Sequence, residues 1–96
     1  MTHNARASAY TQNASKYLQQ LCKHWSHKAT ATFTPENGTV RFASGNTLEM
    51  AAQEDRLVLI VTVPDDGDLA HFKDVVDKHL LRFAFREALE IDWTQG

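Results

Sequence analysis

Histidine and cysteine are the residue types of this sequence that are best suited to chemistry, and three of them lie close together. Cys22, His24 and His27 form the pattern C-x-H-x-x-H, whose ligand types suit zinc or ferrous iron. On a helix, residues 22 and 24 point about 200° apart, whereas residues 24 and 27 differ by about 60°. His24 and His27 could therefore share a metal ion. A third ligand must come from another segment, and His79 is the natural donor.

The same residues also have a purely structural interpretation, which their spacing favours. A buried cysteine packs as a small apolar side chain, and imidazoles near the C-terminus of a helix complement its dipole. The pattern matches no closed zinc motif. A nucleophilic Cys22–His24 pair is excluded, because residues two apart on a helix do not face each other. We therefore assign no catalytic residue, and the sequence itself requires no cofactor.

A second polar group lies on the apolar face of a predicted C-terminal helix. His79 falls between Phe72 and Phe83 on that face, and Arg82 and Arg86 lie within about 60° of it around the helix. Together, His79, Arg82 and Arg86 could bind an anionic or aromatic carboxylate ligand. The structural alternative is a buried His79 bonded to a backbone carbonyl, with both arginines extended over a tryptophan.

Leu81 and Phe85 lie four residues apart on the opposite side of that helix. If the helix packs on a sheet through its other side, both are partly exposed and form a patch suited to a dimer or a protein partner. Cover by the C-terminal segment or by the first helix is the alternative. The sequence leaves both a monomer and a homodimer open.

Two helices are needed to position these side chains. Between residues 13 and 25, apolar residues recur at spacings of three and four, which predicts a helix with Asn13 as its N-cap. The same periodicity predicts a second helix from residue 69 to about residue 89. The acidic turn at residues 64–68 precedes it, and its carboxylates oppose the positive end of the helix dipole.

The remaining segments have the alternation that is typical of strands. Strands are predicted at 6–10, 29–34, 39–42, 47–52 and 57–63, with a short closing strand around Ile91 and Trp93. Residues 57–63 are apolar at almost every position, which predicts a central strand or one covered on both faces. A hairpin turn is predicted at Pro35-Glu36-Asn37-Gly38, where Asn-Gly supplies the positive φ.

This order of elements, β-α-β-β-β-β-α followed by a short strand, indicates the α+β class. A curved antiparallel sheet with both amphipathic helices packed on one face is the simplest way to bury both apolar stripes. Ninety-six residues suit a single domain over 1–96, with an ordered core from about 6 to 93.

Composition excludes several classes of protein. The formal net charge is −2 and the sequence pI is about 6.2, which argues against a generally basic nucleic-acid-binding protein. The longest apolar run, at residues 57–61, is far shorter than the roughly 20 residues of a membrane-spanning helix. A single cysteine fits a reducing compartment, and the N-terminus lacks a secretory signal, so we expect a cytoplasmic protein.

Three stretches of the chain carry a resemblance to a known family. Residues 14–18 leading into 21–28, and residues 79–87 with the closing Ile91-Asp92-Trp93, resemble the bacterial domain-of-unknown-function 2218 family. The resemblance implies a small single-domain α+β protein with an outline like that of the TATA-binding protein. Relatives are often encoded near iron- and siderophore-uptake functions, which associates the family with iron metabolism. The resemblance implies no activity.

We therefore predict a small, non-enzymatic cytoplasmic domain. Its partner is an anionic ligand held by the His79–Arg86 face, or a protein held by the Leu81/Phe85 patch, and the resemblance connects it with iron or siderophore metabolism. The alternative is a metal-binding protein or minor metalloenzyme, in which Cys22, His24, His27 and His79 hold iron or zinc.

Overall fold

The computed structural model describes residues 2–95, with side chains described up to Thr94. The elements follow the predicted order, and the α+β class is confirmed. They are β1 (His3–Tyr10), α1 (Ala14–Trp25), β2 (Thr30–Phe33), β3 (Asn37–Arg41), β4 (Thr47–Ala52), β5 (Arg56–Val63), α2 (Leu69–Phe83) and β6 (Ile91–Gln95).

The six strands form one antiparallel sheet in the order β2-β3-β4-β5-β1-β6. The strand β5 is internal, as predicted, and its alternate residues from Leu57 to Val63 are buried. On β1 the residues of the same face are the small Ala5, Ala7 and Ala9, each at most 1% exposed. The sheet therefore presents one continuous apolar face.

Both helices pack on that face. The buried stripe of α1 consists of Ala14, Tyr17, Leu18, Leu21, Cys22 and Trp25. The fully buried residues of α2 are Phe72, Val76 and Leu80. Asp68 caps α2, because its carboxylate accepts a hydrogen bond from the backbone N–H of His71 at 3.0 Å. The opposite face of the sheet is open and is polar at the edge formed by β2 and β3, where Thr30, Thr32, Thr39 and Arg41 lie.

The second helix is shorter than predicted. It ends at Phe83, whereas its apolar spacing continues to residue 89. The N–H of Ala84 still bonds to Leu80, but the chain then turns away toward β6, which pairs with β1. Because no glycine or proline marks this end, local sequence does not reveal it. Residues 85 and 86 consequently lie outside the helix, and the helical angles used to place them do not apply.

The predicted hairpin turn between β2 and β3 is present, but the positive φ predicted for Asn37-Gly38 is wrong. Both residues lie in β3. Among the described glycines, the one with a positive φ is Gly45, at 95°. Gly38 has a different role, because a Cβ atom at this position would lie 2.9 Å from the Sγ of Cys22 and 3.1 Å from a methyl carbon of Leu18. The missing side chain lets α1 approach the sheet closely.

Gly38→Ala is expected to destabilise the protein by about 1–3 kcal/mol, the usual cost of overpacking a core. The gain of about 0.4–1 kcal/mol from stiffening the unfolded chain is too small to offset this clash. Urea unfolding measures the difference. The penalty should shrink in a Cys22→Ala background, which removes the closest atom. An equal penalty in both backgrounds would contradict this account of the contact.

Candidate functional site

Two of the motifs identified in the sequence meet along the seam between the helices. The beginning of α1 lies beside the segment that follows α2, where Tyr17 bonds to Glu87. The end of α1 lies beside the last turns of α2, where the rings of His24 and His79 are in contact. The seam therefore brings polar groups from distant parts of the sequence onto one surface.

The two histidines form a pair at one end of this seam. Their ring centres are 5.1 Å apart, with the planes inclined at 47°. Trp25 lies 5.1 Å from the ring of His79, and Phe83 lies 5.9 Å from the ring of His24. The Nδ1 of His79 is 2.7 Å from the carbonyl oxygen of Val75. Because a carbonyl can only accept, Nδ1 carries the proton, and the Nε2 lone pair of neutral His79 is free.

His24 is held in its neutral form. Burial lowers the pKa of His24 below its usual value, and electrostatic interaction with His79, Lys28, Arg82 and His27 lowers it further. At neutral pH its imidazole therefore presents a nitrogen lone pair.

The other two predicted metal ligands do not join this ring contact. Cys22 is completely buried beneath Gly38, and burial raises the pKa of its thiol to about 11, so it is not a thiolate at neutral pH. His27 is exposed in the turn after α1 and affects His24 through its charge. Within residues 2–95, no three His, Cys, Asp or Glu side chains are grouped so that they could hold a metal ion.

A carboxylate bound by three side chains lies at the other end of the seam. Glu87 accepts hydrogen bonds from Thr11 Oγ1 at 2.9 and 3.1 Å, from Asn13 Nδ2 at 2.9 Å and from the hydroxyl of Tyr17. The bond from Tyr17, and then that from Asn13, hold the pKa of Glu87 below its usual value. Burial raises the pKa of Tyr17, and the hydrogen bond to Glu87 and the charge of Glu87 raise it further. These bonds fix the segment after α2 to the start of α1.

This cluster was not predicted as a site. Asn13 is the N-cap residue of α1, as predicted, but its side chain makes no capping bond, and its amide instead donates to Glu87. Tyr17 and Glu87 both lie within the motifs that carry the family resemblance, which was the available signal. They lie 70 residues apart in the sequence, so local spacing does not predict their contact.

A groove of about 550 Å³ lies between the two helices beside this carboxylate. It is lined by Asn13, Lys16, Tyr17, Gln20, Phe83, Phe85, Arg86 and Glu87. The Oε1 atom of Gln20 is buried and has no hydrogen-bond partner. Phe85 is 74% exposed, with the guanidinium of Arg86 5.3 Å from its ring centre. The groove thus combines cations and aromatic rings.

The residues predicted to bind an anion are distributed along this seam. Arg86 lines the groove, whereas His79 lies farther along α2 in contact with His24. Arg82 is exposed and close enough to His24 to lower its pKa. Leu81 and Phe85 are both exposed, but Phe85 lies beyond the helix and lines the groove, so helical spacing does not join it to Leu81.

A smaller cavity of about 280 Å³ lies on strands β3, β4 and β5. Its ionisable residue is Glu49, and its other lining residues are Asn37, Gly38, Thr39, Met50, Ala51, Val58 and Ile60. It has no cation and no paired titratable groups. Of these two cavities, the groove beside Glu87 is therefore the better candidate site.

Comparisons with known proteins agree with this architecture. The profile of the family "uncharacterized protein conserved in bacteria (DUF2218)" matches residues 6–94. The NMR structure of PA4090 from Pseudomonas aeruginosa is similar, with 38% identity over 96% of this chain and 95% of that chain, and a TM-score of 0.77. No functionally curated protein matches. Neither described helix is long and apolar enough to span a membrane.

Proposed function

This chain belongs to the DUF2218 family of uncharacterised proteins conserved in bacteria, and from the geometry of its groove we propose that it is a non-enzymatic domain that binds a small anionic ligand. The observation that carries the proposal is the groove beside Glu87, in which Arg86 and Lys16 accompany the aromatic rings of Phe83 and Phe85. Its volume of about 550 Å³ lies within the range of roughly 300–1,000 Å³ that is usual for small-molecule sites.

The charges around the groove favour an anion. Among residues 2–94, neither Arg82 nor Arg86 forms an ion pair, although both are exposed. Glu87 is the carboxylate in the groove wall, and its oxygens already accept bonds from three side chains. A guanidinium binds a carboxylate through two parallel hydrogen bonds, which gives both affinity and orientation.

The aromatic residues that line the groove indicate the chemistry of the uncharged part of the ligand. Phe83 and Phe85 offer aromatic surface next to Arg86, so an apolar or aromatic group can pack there while its carboxylate contacts the cation. A carboxylate joined to an aromatic or apolar body satisfies both features.

The proposed function does not involve catalysis. The thiol of Cys22 is buried beneath β3, and burial raises its pKa to about 11. Glu87 is engaged by its three donors, which favour the charged form. Cys22 and Glu87 are thus committed to packing and to hydrogen bonding.

Titration of isotope-labelled protein with aromatic and aliphatic carboxylates, monitored by NMR, tests the proposal. We expect shifts at the amides of Gln20 and Phe85, and smaller shifts for the matching carboxamides. Arg82→Ala/Arg86→Ala should fold normally and bind about 10–100-fold more weakly, since a charged hydrogen bond contributes about 1.5–3 kcal/mol. Arg41→Ala is the matched control, because Arg41 is an exposed arginine on the open face of the sheet.

Two results would count against ligand binding in the groove. One is a panel of carboxylates that leaves every groove amide unshifted. The other is a double variant that binds as tightly as the wild type, which would place the anion somewhere else.

A further inference from the structure

We propose that His24 and His79 form a two-imidazole site for a divalent transition-metal ion where α1 meets α2. This site is distinct from the groove, since neither histidine lines it. It also differs from the four-residue metal site that the sequence suggested, because Cys22 is excluded from it and His27 is not required.

The separation of the two rings fits a shared ion. Imidazole nitrogens bind zinc at about 2.0–2.1 Å, so two rings ligated at a tetrahedral angle have their centres about 5 Å apart. The observed separation is 5.1 Å. Binding then requires rotation of the side chains so that one nitrogen of each ring is directed toward the shared ion.

The hydrogen bond made by His79 is also typical of a metal-binding histidine. A metal-binding histidine commonly donates its other N–H to a carboxylate or backbone carbonyl, which fixes the ring and leaves one lone pair for the metal. His79 does this through Nδ1 and the carbonyl of Val75. Neither ring nitrogen of His24 has a hydrogen-bond partner among the described residues. Imidazole nitrogens suit zinc, copper, nickel and iron.

The surroundings restrict the rings and leave room for further ligands. Trp25 packs against His79, and Phe83 packs edge-on against His24, so both imidazoles have fixed neighbours. Both histidines are only half-buried, and water can therefore complete the coordination of the ion. Two protein ligands with open positions make a site from which the metal exchanges.

Positive charges near His24 affect how tightly this site binds a metal ion. Arg82 and Lys28 are close enough to His24 to lower its pKa, and the same positive charges repel a metal dication. Removing Arg82 should therefore strengthen metal binding, whereas anion binding in the groove should be weakened by removing Arg86, which lines it. The two arginines separate the two proposals, so that either can fail without the other.

Titration with Co²⁺ and Zn²⁺ at neutral pH tests the site. We expect one ion per chain, a visible absorption band for the Co²⁺ form, and broadening of amide signals around residues 24 and 79. Loss of an outer hydrogen-bond partner of a ligand typically costs about 10–100-fold in metal affinity. His24→Ala and His79→Gln should each lose about 100-fold or more, and Arg82→Ala should gain affinity.

The control variants are His71→Ala and Cys22→Ala. His71 is an exposed histidine in the first turn of α2, and Cys22 lies beneath β3, so both variants should keep the wild-type stoichiometry. His24 is half-buried and makes no hydrogen bond within the described protein, so His24→Ala decides the matter even if His79→Gln unfolds. Absence of binding to the wild type, or wild-type affinity in His24→Ala, would overturn the proposal.

Discussion

Trp25→Ala is expected to destabilise the fold by about 3–5 kcal/mol, the usual range for removing a buried aromatic side chain. Trp25 is 3% exposed, and its ring lies 5.6 Å from that of Phe42 and 5.1 Å from that of His79. Phe42 in turn contacts Phe72 of α2 at 5.5 Å. Removal of the indole thus opens a cavity where α1, the end of β3 and α2 meet.

Denaturant unfolding followed by far-ultraviolet circular dichroism measures this loss. A domain of this size has a total stability of about 5–15 kcal/mol, so the variant should lose a large share of it. Trp25→Phe is the matched control, because it keeps an aromatic ring and should recover most of the loss. A stability of Trp25→Ala within about 1 kcal/mol of the wild type would show that the cluster contributes little.

Glu87→Ala should have the next largest effect, a loss of about 2–3 kcal/mol. A hydrogen bond to a charged group contributes about 1.5–3 kcal/mol, and solvent around this half-buried carboxylate reduces the sum over its three donors. The variant also leaves the hydroxyl of the buried Tyr17 without its acceptor. Because these bonds attach residues 84–90 to α1, the groove should lose its ligand affinity as well.

The pH dependence of stability tests the same interaction. The pKa of Glu87 is lowered in the folded protein, so its contribution is present above its usual value of 4.5 and is lost as the pH falls through the folded value. The pKa of Tyr17 is raised, so its contribution is present below its usual value of 10.0 and is lost as the pH rises through the folded value. The stabilisation is therefore confined to the interval between these limits.

Glu87→Gln and Tyr17→Phe together give a double-mutant cycle that isolates the pair. Unfolding free energies at acidic, neutral and alkaline pH should show a coupling that is largest at neutral pH and disappears at both extremes. A coupling that is independent of pH would mean that the contact acts through packing and not through a charged hydrogen bond.

The sequence alone determined the order and type of the elements, because the alternation of strands and the three-to-four spacing of helices are local consequences of burying one face. It did not determine where α2 ends. The apolar spacing runs on to residue 89, and the chain leaves the helix so that Glu87 can reach its donors and β6 can pair with β1. The role of Gly38 was also hidden, since it depends on Cys22 approaching from another layer.

The candidate sites also depend partly on local spacing and partly on the tertiary structure. The helical angle already placed Cys22 and His24 on different sides of α1, and the structure places Cys22 in the core and His24 against α2. The contact between His24 and His79, and that between Tyr17 and Glu87, came only from the tertiary structure. Local spacing determines which side chains share a face, whereas the packing of both helices on one sheet determines which faces meet.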